Sequence, residues 1–394
     1  MSQSLIADGL RGTVERVHGE SGRRWLSLLP ALLSESCARW SLELDQPFEN
    51  LSYNLVIPGQ MPDGTEIVLK LGVPCSELTT EAAALSLFDG AGAVRLLEHD
   101  APRGILLLER VVPGAPLYTL QDDTEATRTA AKLMRSLWRT PHVDHPFPTL
   151  ADWFSAFERL RKGCDGGCGP FSPSLITKAE NTFTELNASS GRNVILHGDL
   201  HHGNILFSAK SGWVAIDPKG IAGDPGYEVG SFMLNGLPEK VADAEVREIF
   251  SRRLSIFSEE LQIGRECLAG WAFCHAALSA LWDFEESSEC GGTIRLAEIG
   301  GWDEECRWLE DWDFFARCIV RYPEGVHWVA KVLVEYRQVH GAGADGLCAT
   351  TVREPERNHA GWQYVIEKWR HYPTFAVTAE QLAAKHLRKL TLRT

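Results

Sequence analysis

The stretch VILHGDLHHGNILF at residues 194–207, followed by WVAID at residues 213–217, decides the expected fold of this 394-residue chain. Its first three apolar residues predict a short buried strand that delivers the loop after it. Asn204 is predicted to begin a second strand and Asp217 to end a third, with a hairpin turn at residues 209–212. Because the first residue of one antiparallel strand lies near the last residue of its partner, we expect Asn204 and Asp217 to meet.

The polar residues of this stretch are those that phosphoryl transfer requires. Asn204 and Asp217 supply two oxygen ligands, and Mg²⁺ prefers oxygen ligands while keeping part of its shell for phosphates and water. Asp199 lies earlier on the same loop and is left to accept a proton from an attacking hydroxyl. A lone His-Gly-Asp triplet also fits a plain turn, and a lone Asp after a strand fits a helix cap. The full string is far more specific and predicts a catalytic centre.

The residues before this stretch predict a small lobe rich in β-structure. Between residues 51 and 110, short β-rich runs alternate with turn signals, and IVLKL at residues 67–71 is one such run. A helix is predicted to begin near Thr80. Lys70 on the run can neutralise nucleotide phosphates, and Glu81 on the helix can hold Lys70 in place. Taken alone, Lys70 also fits a solvated lysine on a strand.

Apolar residues at helical spacing predict that the chain becomes helical after Gly114. The sets with this spacing are Ala130, Leu133, Met134 and Leu137; Trp153, Phe157 and Leu160; and Ile176, Ala179, Phe183 and Leu186. The predicted fold class is therefore α+β with two lobes. Residues 1–112 form a mostly β lobe with one helix, and residues 113–289 form a helical lobe that carries the catalytic loop.

Composition narrows the class of protein. The formal net charge of −14 argues against a nucleic-acid binder and fits either a cationic ligand or ordinary solubility. No apolar run is long enough to span a membrane and the start is not a secretory signal, so we expect a cytoplasmic protein. Among ten cysteines, Cys164 and Cys168 form one close pair without a matching second pair, and we expect reduced thiols there. The oligomeric state stays open.

The catalytic stretch at residues 194–217 resembles that of the aminoglycoside and choline kinase superfamily. The resemblance is greatest to the streptomycin 6-kinase and hydroxyurea-resistance branch and extends over about residues 20–286. The segments that carry it include DGTEIVLK at residues 63–70, EAAAL at 81–85, LLER at 107–110 and PFPTLADW at 146–153.

This resemblance implies a two-lobed protein-kinase-like fold that uses ATP and Mg²⁺. It implies that Asp199 is the catalytic base and that Asn204 and Asp217 are magnesium ligands. His197 falls on the structural histidine of the catalytic loop.

The resemblance also implies where the ligands bind. Glu109 and Val111 fall in the hinge between the lobes, where backbone groups bind adenine. The implied acceptor is a hydroxyl of a streptomycin-type aminocyclitol antibiotic, so that the protein confers resistance. Another small alcohol, hydroxyurea, or an inactive fusion are the alternatives. Because aminoglycosides are polycationic, Asp224, Glu228 and Asp283 are candidates for the acceptor pocket, and each also fits a helix cap or a solvated carboxylate.

The last part of the chain has a different pattern. It contains GGWDE at residues 300–304 and a period-two alternation over residues 326–337, which is typical of a half-buried strand. It resembles the C-terminal part of family-2 glycosyltransferases with the GT-A fold, and this implies that Glu310 and Asp311 form that family's Glu-Asp motif. No Asp-x-Asp donor site precedes them. We therefore expect residues 290–394 to be a glycosyltransferase-like fragment without transferase activity.

Overall fold

The computed structural model describes residues 8–49, 51, 53–238, 241–287 and 290–301. The chain divides into one compact unit, Met1–Gly301, and a second unit, Trp302–Thr394. The second unit lies outside the described residues, and so do Glu310 and Asp311 of the predicted Glu-Asp motif. Within the described part of the chain, no helix is long and apolar enough to cross a membrane.

The N-terminal lobe is a five-stranded antiparallel sheet with a helix on each face. Its strands are β1 (Glu43–Leu44), β2 (Leu55–Gln60), β3 (Glu66–Leu71), β4 (Leu96–Asp100) and β5 (Ile105–Glu109), in the order β1-β2-β3-β5-β4. Its helices are α1 (Asp8–Trp40) and α2 (Ser76–Phe88). Successive residues of a strand face opposite sides of the sheet. The fully buried Ile67, Leu69 and Leu71 share a core with α1, and Lys70 therefore lies on the other face, towards α2.

Helix α1 differs from the prediction of a lobe with a single helix. It spans 33 residues and contains one non-helical residue, Gly19, with φ 55° and ψ −123°. Buried Leu10, Val14, Trp25 and Leu29 join it to the sheet. Four glycines and a proline lie within α1, and these residues have the lowest helix propensity. Packing against the sheet outweighs that local preference.

The second lobe is mainly helical. Its helices are α3 (Asp123–Leu137), α4 (Leu150–Phe154), α5 (Ala156–Gly163), α6 (Pro173–Ser189), α7 (Val229–Leu234), α8 (Asp243–Leu261), α9 (Arg265–Ser287) and α10 (Gly291–Gly301). The predicted apolar sets lie on helices, although the set that begins at Trp153 is divided between α4 and α5. Fully buried Trp271 of α9 lies in the core of this lobe.

Short strands carry the catalytic loop. They are β6 (Pro113–Pro116), β7 (Val194–Leu196), β8 (Ile205–Ser208), β9 (Gly212–Ala215) and β10 (Ile221–Gly223). The predicted hairpin is confirmed, since β8 and β9 pair with Ile205 opposite Ala215. Asn204 ends a 3₁₀ turn just before β8 instead of beginning the strand. The amide of Ile216 still donates to the carbonyl of Asn204 over 2.9 Å, which brings Asp217 beside it.

Helix α10 extends the helical lobe beyond the boundary expected at residue 290. Cys290, Ala297 and Ile299 are buried in the core of the lobe. Arg295 pairs with Asp243 of α8 at 2.7 Å. The apolar face of α10 needs a partner, and α8 and α9 provide it. Residues 291–301 thus form part of the first compact unit, whereas the sequence pattern grouped them with the tail.

Candidate active site

His197 is the internal support of the catalytic loop. The ring is completely buried, its Nε2 lies 2.8 Å from the carbonyl of Ile216, and its Nδ1 accepts from the amide of Asp199 at 3.2 Å. Burial lowers the pKa of His197 to about 4. The ring is therefore neutral and donates through Nε2–H. It links the loop to the end of β9, as a structural histidine does.

Glu228 supports the same loop from the other side. Its two carboxylate oxygens accept from the amides of His197 and Gly198, both at 2.8 Å, and the residue is 2% exposed. Burial raises the pKa of Glu228 to about 7, although both amides favour its ionised form. With both oxygens engaged beneath the loop, Glu228 does not line an acceptor pocket. The sequence suggested that role, and the structure corrects it.

Asp199 lies half-buried on the loop. Its carbonyl accepts from Nδ2 of Asn204 at 2.9 Å, and its Oδ1 accepts from the hydroxyl of Ser231 at 2.8 Å. Burial raises the pKa of the Asp199 carboxyl. A partly desolvated carboxylate whose Oδ2 accepts no hydrogen bond from the described residues suits a group that accepts a proton from a hydroxyl.

Asn204 and Asp217 flank the paired strands β8 and β9, and the main chain of Ile216 bonds to that of Asn204. Because Nδ2 of Asn204 faces the carbonyl of Asp199, its Oδ1 points away from that bond and can serve as a ligand. Asp217 follows β9 with φ 58°, a left-handed backbone, and its side chain is 48% exposed. The described residues contain no cluster of three or more His, Cys, Asp and Glu side chains that could hold a metal by themselves. A cation here would complete its shell with ligand oxygens, as Mg²⁺ does.

A buried ion pair joins the N-terminal lobe to this centre. Nζ of Lys70 lies 2.7 and 2.9 Å from the carboxylate oxygens of Glu81 and 3.1 Å from Oδ1 of Asp217. Burial lowers the pKa of Lys70, but the charges of Asp217 and Glu81 outweigh it and hold the pKa above its ordinary value. Lys70 is therefore a permanently charged, buried group beside Asp217. It is not a solvated lysine on a strand, which was the other interpretation of its sequence.

The predicted hinge follows β5. Glu109 is the last residue of β5 and forms an ion pair with Lys210, in the turn of the β8–β9 hairpin, at 3.3 Å. Val111 packs partly buried against the core, and the next residue, Val112, accepts from the amide of Ala209. These contacts hold the connection between the lobes against the hairpin that carries Asn204.

The other two candidates for an acceptor pocket have local partners. Asp224 accepts from the amide of Gly226 and from the hydroxyl of Ser190, both at 2.7 Å, and so caps the 3₁₀ turn Pro225–Glu228. Asp283 on α9 accepts from the hydroxyl of Thr293 on α10. The structure gives both carboxylates a structural role.

The lobes also meet through polar groups at the end of α9. Oε1 of Glu286 accepts from the hydroxyl of Tyr53 at 2.7 Å and pairs with Arg16 of α1 at 3.3 Å. Tyr53 belongs to the segment between β1 and β2, so this contact joins that segment to the helical lobe. Nearer Asp217, Lys219 contacts Glu77 of α2. Sequence reasoning anticipated none of these contacts.

Comparison with known proteins identifies the family. A profile described as aminoglycoside/hydroxyurea antibiotic resistance kinase matches residues 39–287, more than half of the chain. The chain belongs to this kinase family. Its relatives include the streptomycin 6-kinase of Streptomyces glaucescens, 33% identical over 284 residues that cover 72% of this chain and 92% of the relative. The hydroxyurea phosphotransferase of Kitasatospora aureofaciens is 33% identical over 289 residues, covering 72% and 80%.

A solved structure supports the fold of this resistance kinase. The choline/ethanolamine kinase family protein from Mesorhizobium loti superposes with a TM-score of 0.51 at 13% identity, covering 68% of this chain and 94% of that one. The predicted two-lobed protein-kinase-like fold and the predicted branch of the superfamily are confirmed. The protein is an antibiotic-resistance kinase, a phosphotransferase with an alcohol group as acceptor.

Proposed function

We propose that this kinase transfers the γ-phosphoryl group of ATP to a hydroxyl of a streptomycin-type aminocyclitol antibiotic. The observation that carries the proposal is the meeting of two chain segments at one point. Lys70 of the N-terminal lobe, paired with Glu81, reaches Asp217, and the main chain of the preceding residue, Ile216, bonds to Asn204. The charged lysine therefore lies close to the two proposed metal ligands and to the proposed base.

The residues present fit ATP and Mg²⁺. Asn204 and Asp217 offer two oxygen ligands, which suits a magnesium ion that keeps water and phosphate oxygens in its shell. Lys70 is charged and buried, with Nζ 3.1 Å from Asp217, and is placed to contact the nucleotide phosphates beside that ion. Bound magnesium neutralises the charge that develops on the phosphate oxygens.

The protein groups then have distinct tasks. Glu81 would hold Lys70 against the phosphates, and Asn204 and Asp217 would hold the metal. Asp199 orients the acceptor hydroxyl and accepts its proton as the oxygen–phosphorus bond forms and the bond to the leaving ADP oxygen breaks. His197 and Glu228 keep the loop in shape without touching the reacting atoms. Such a small set is sufficient, because phosphoryl transfer depends mainly on positioning and on charge neutralisation.

The acceptor is proposed from the relatives and from charge. The named streptomycin 6-kinase matches along nearly its whole length. The net charge of −14 produces a field that attracts a polycationic antibiotic and raises its rate of encounter. We propose no nucleic-acid or membrane partner.

Mass spectrometry of streptomycin after incubation with the purified protein, ATP and Mg²⁺ tests the proposal. We expect a product that is heavier by one phosphoryl group and that is absent with Asp199→Ala. The Asp199→Ala protein should still bind ATP, because the nucleotide contacts lie on other residues. Turnover near the wild-type level in Asp199→Ala would contradict the assigned base.

A second acceptor is supported by one observation. The hydroxyurea phosphotransferase has the same identity to this chain as the streptomycin 6-kinase, 33%, over the aligned residues, which cover 80% of the former and 92% of the latter. Hydroxyurea should therefore be incubated in parallel. Phosphorylation of hydroxyurea without phosphorylation of streptomycin would favour this second function. An inactive protein that binds neither ATP nor acceptor would support the third alternative, an inactive fusion.

We also propose, from the resemblance alone, that the last part of the chain is a glycosyltransferase-like fragment without transferase activity. Transfer of sugar from a nucleotide-sugar donor to any acceptor by the purified protein would contradict it. Removal of residues 302–394 leaves the first compact unit whole, and we expect the shortened protein to retain its kinase activity.

A further inference from the structure

Ser231 contacts the proposed base from the helical lobe. It lies on α7, is 3% exposed, and donates its hydroxyl to Oδ1 of Asp199 over 2.8 Å. The two residues are 32 positions apart in the sequence. A serine on a buried helix face is ordinarily explained by close packing, so the sequence did not indicate this contact.

The direction of this hydrogen bond is unusual for a helical serine. Such a hydroxyl commonly bonds to the main-chain carbonyl three or four residues earlier in its own helix. Ser36 bonds in this way to Leu32, and Ser86 to Ala82, both at 2.8 Å. The hydroxyl of Ser231 instead donates to the carboxylate of Asp199, outside its own helix. Its hydroxyl is thus directed at the proposed reaction centre.

The bond completes the fixing of Asp199. The main chain of Asp199 is held at its amide by His197 and at its carbonyl by Asn204. Rotation of a carboxylate about its last torsion is only weakly restricted. Among the described residues, the only hydrogen bond to the carboxylate is the one from Ser231 to Oδ1. Oδ2 is therefore the oxygen left for an acceptor hydroxyl.

Ser231 is itself held in place by an arginine. Arg253 of α8 is completely buried and pairs with Asp123 of α3 at 2.7 Å. Its guanidinium also donates to the carbonyl of Phe232, the residue after Ser231, at 3.0 Å and to that of Asn235, at the end of α7, at 2.8 Å. A guanidinium has several donors in one rigid plane, which suits it to gathering carbonyl groups.

The same segment touches the catalytic loop a second time. The ring of Phe232 stacks on that of His202 with centroids 3.9 Å apart. His202 opens the 3₁₀ turn that ends at Asn204. Two consecutive residues of α7 thus contact the loop, Ser231 at Asp199 and Phe232 at His202, between Asp199 and Asn204.

We propose that Ser231 is a positioning residue for phosphoryl transfer, which holds Oδ1 of Asp199 so that Oδ2 faces the acceptor hydroxyl. The proposal rests on the proposed function, because it takes Asp199 to be the base. Positioning acts on the rate of the chemical step, since small misplacements of a reacting group reduce turnover strongly. In the part of the chain that the structure describes, Ser231 makes no hydrogen bond to Lys70, the proposed phosphate contact, or to the side chains of Asn204 and Asp217, the proposed magnesium ligands, so nucleotide binding should not depend on it.

The test compares four variants of the full chain with the wild type. Ser231→Ala removes the hydroxyl, and Ser231→Thr keeps a hydroxyl at the same position. Ser36→Ala is the matched control, because Ser36 is also a buried helical serine at 2% exposure but bonds within its own helix. Asp199→Ala defines the activity without the base. For each protein, kcat and both KM values are measured with streptomycin and ATP, and kcat is normalised to the ADP-binding fraction from calorimetry.

We expect Ser231→Ala to lower kcat about tenfold or more, as the loss of a hydrogen bond to a charged group would, with an unchanged KM for ATP. Ser231→Thr should recover most of that loss, and Ser36→Ala should have the wild-type kcat. A normalised kcat of Ser231→Ala within twofold of the wild type would overturn the inference, and so would an equal loss in Ser36→Ala.

Failure of this inference differs from failure of the proposed function. An active wild type and an inactive Asp199→Ala, together with an unaffected Ser231→Ala, would reject the role of Ser231 alone. A wild type that phosphorylates no acceptor, or an active Asp199→Ala, would reject the proposed function and the inference with it.

Discussion

Replacing Glu228 by glutamine tests whether the catalytic loop depends on a buried carboxylate. Both oxygens of Glu228 accept from loop amides at 2.8 Å, and the site is closed to water. Glutamine offers one acceptor oxygen and one NH₂ group. One amide, of His197 or Gly198, would therefore face another donor, and the second would bond to a neutral oxygen.

The magnitude follows from these two bonds. A hydrogen bond to a charged group contributes about 1.5–3 kcal/mol, and a buried donor without an acceptor costs about 1–3 kcal/mol. Because these contributions overlap, we expect Glu228→Gln to lose about 2–4 kcal/mol of stability above pH 7, where Glu228 is ionised. For a unit of this size, that corresponds to a fall in Tm of roughly 3–6 °C. The kcat should fall as well, since Asp199 follows Gly198 directly.

Thermal unfolding followed by calorimetry, together with kcat at saturating ATP, measures both effects. Glu180→Gln is the control, because Glu180 forms an ion pair with Arg161 at 2.6 Å but is 34% exposed. Exposed pairs contribute about 0–1 kcal/mol, so the control should unfold near the wild-type temperature. Equal Tm values and equal kcat for Glu228→Gln and the wild type would refute this account of the loop.

Three further outcomes are expected. Glu81→Gln should reduce kcat/KM for ATP about tenfold or more by releasing Lys70, measured by steady-state kinetics, while KM for the acceptor stays unchanged. Arg253→Met should lower the free energy of unfolding by about 3 kcal/mol or more, measured by urea denaturation, because Asp123 loses a buried partner. Burial lowers the pKa of His275 from 6.5 to about 4, so the folded protein holds it neutral and stability is lost as the pH falls from 6.5 towards 4. Between about pH 7.5 and 5.5, the free energy of unfolding of His275→Asn should fall by about 1.4 kcal/mol less than that of the wild type. The same dependence of the free energy of unfolding on pH in both proteins would contradict this.

The sequence predicted those parts of the site that depend on short-range geometry. Asn204 and Asp217 flank one hairpin, and the pairing of its antiparallel strands places the main chains at its two ends side by side. Lys70 and Glu81 are 11 residues apart, on a strand and on the helix that follows it. So short a connection leaves few ways to pack the helix on the strand, and this made their pairing predictable. The pattern of residue types in these segments is rare enough to be specific.

The supports of the loop could not be predicted in the same way. Glu228 and Ser231 lie 30 or more residues from their partners, and their residue types are common on helix surfaces and at helix ends. Their orientation depends on how α7 packs against α8 and α9, which no local pattern encodes. Helix α1 was missed for the opposite reason. Its glycines and proline argue locally against a helix, and only the apolar face of the sheet stabilises one there.

The backbone of Asp217 limits what this position can become. At φ 58° it lies in the left-handed region, which glycine, asparagine and aspartate tolerate and other side chains rarely adopt. Only aspartate in that group also carries a negative charge towards Lys70. Asparagine is then the one replacement that keeps both the backbone and the size of the side chain while removing the charge. Asp217→Asn therefore separates two properties of this position: it keeps the residue type that the left-handed backbone tolerates, and it removes the charge that Lys70 and the proposed metal site use.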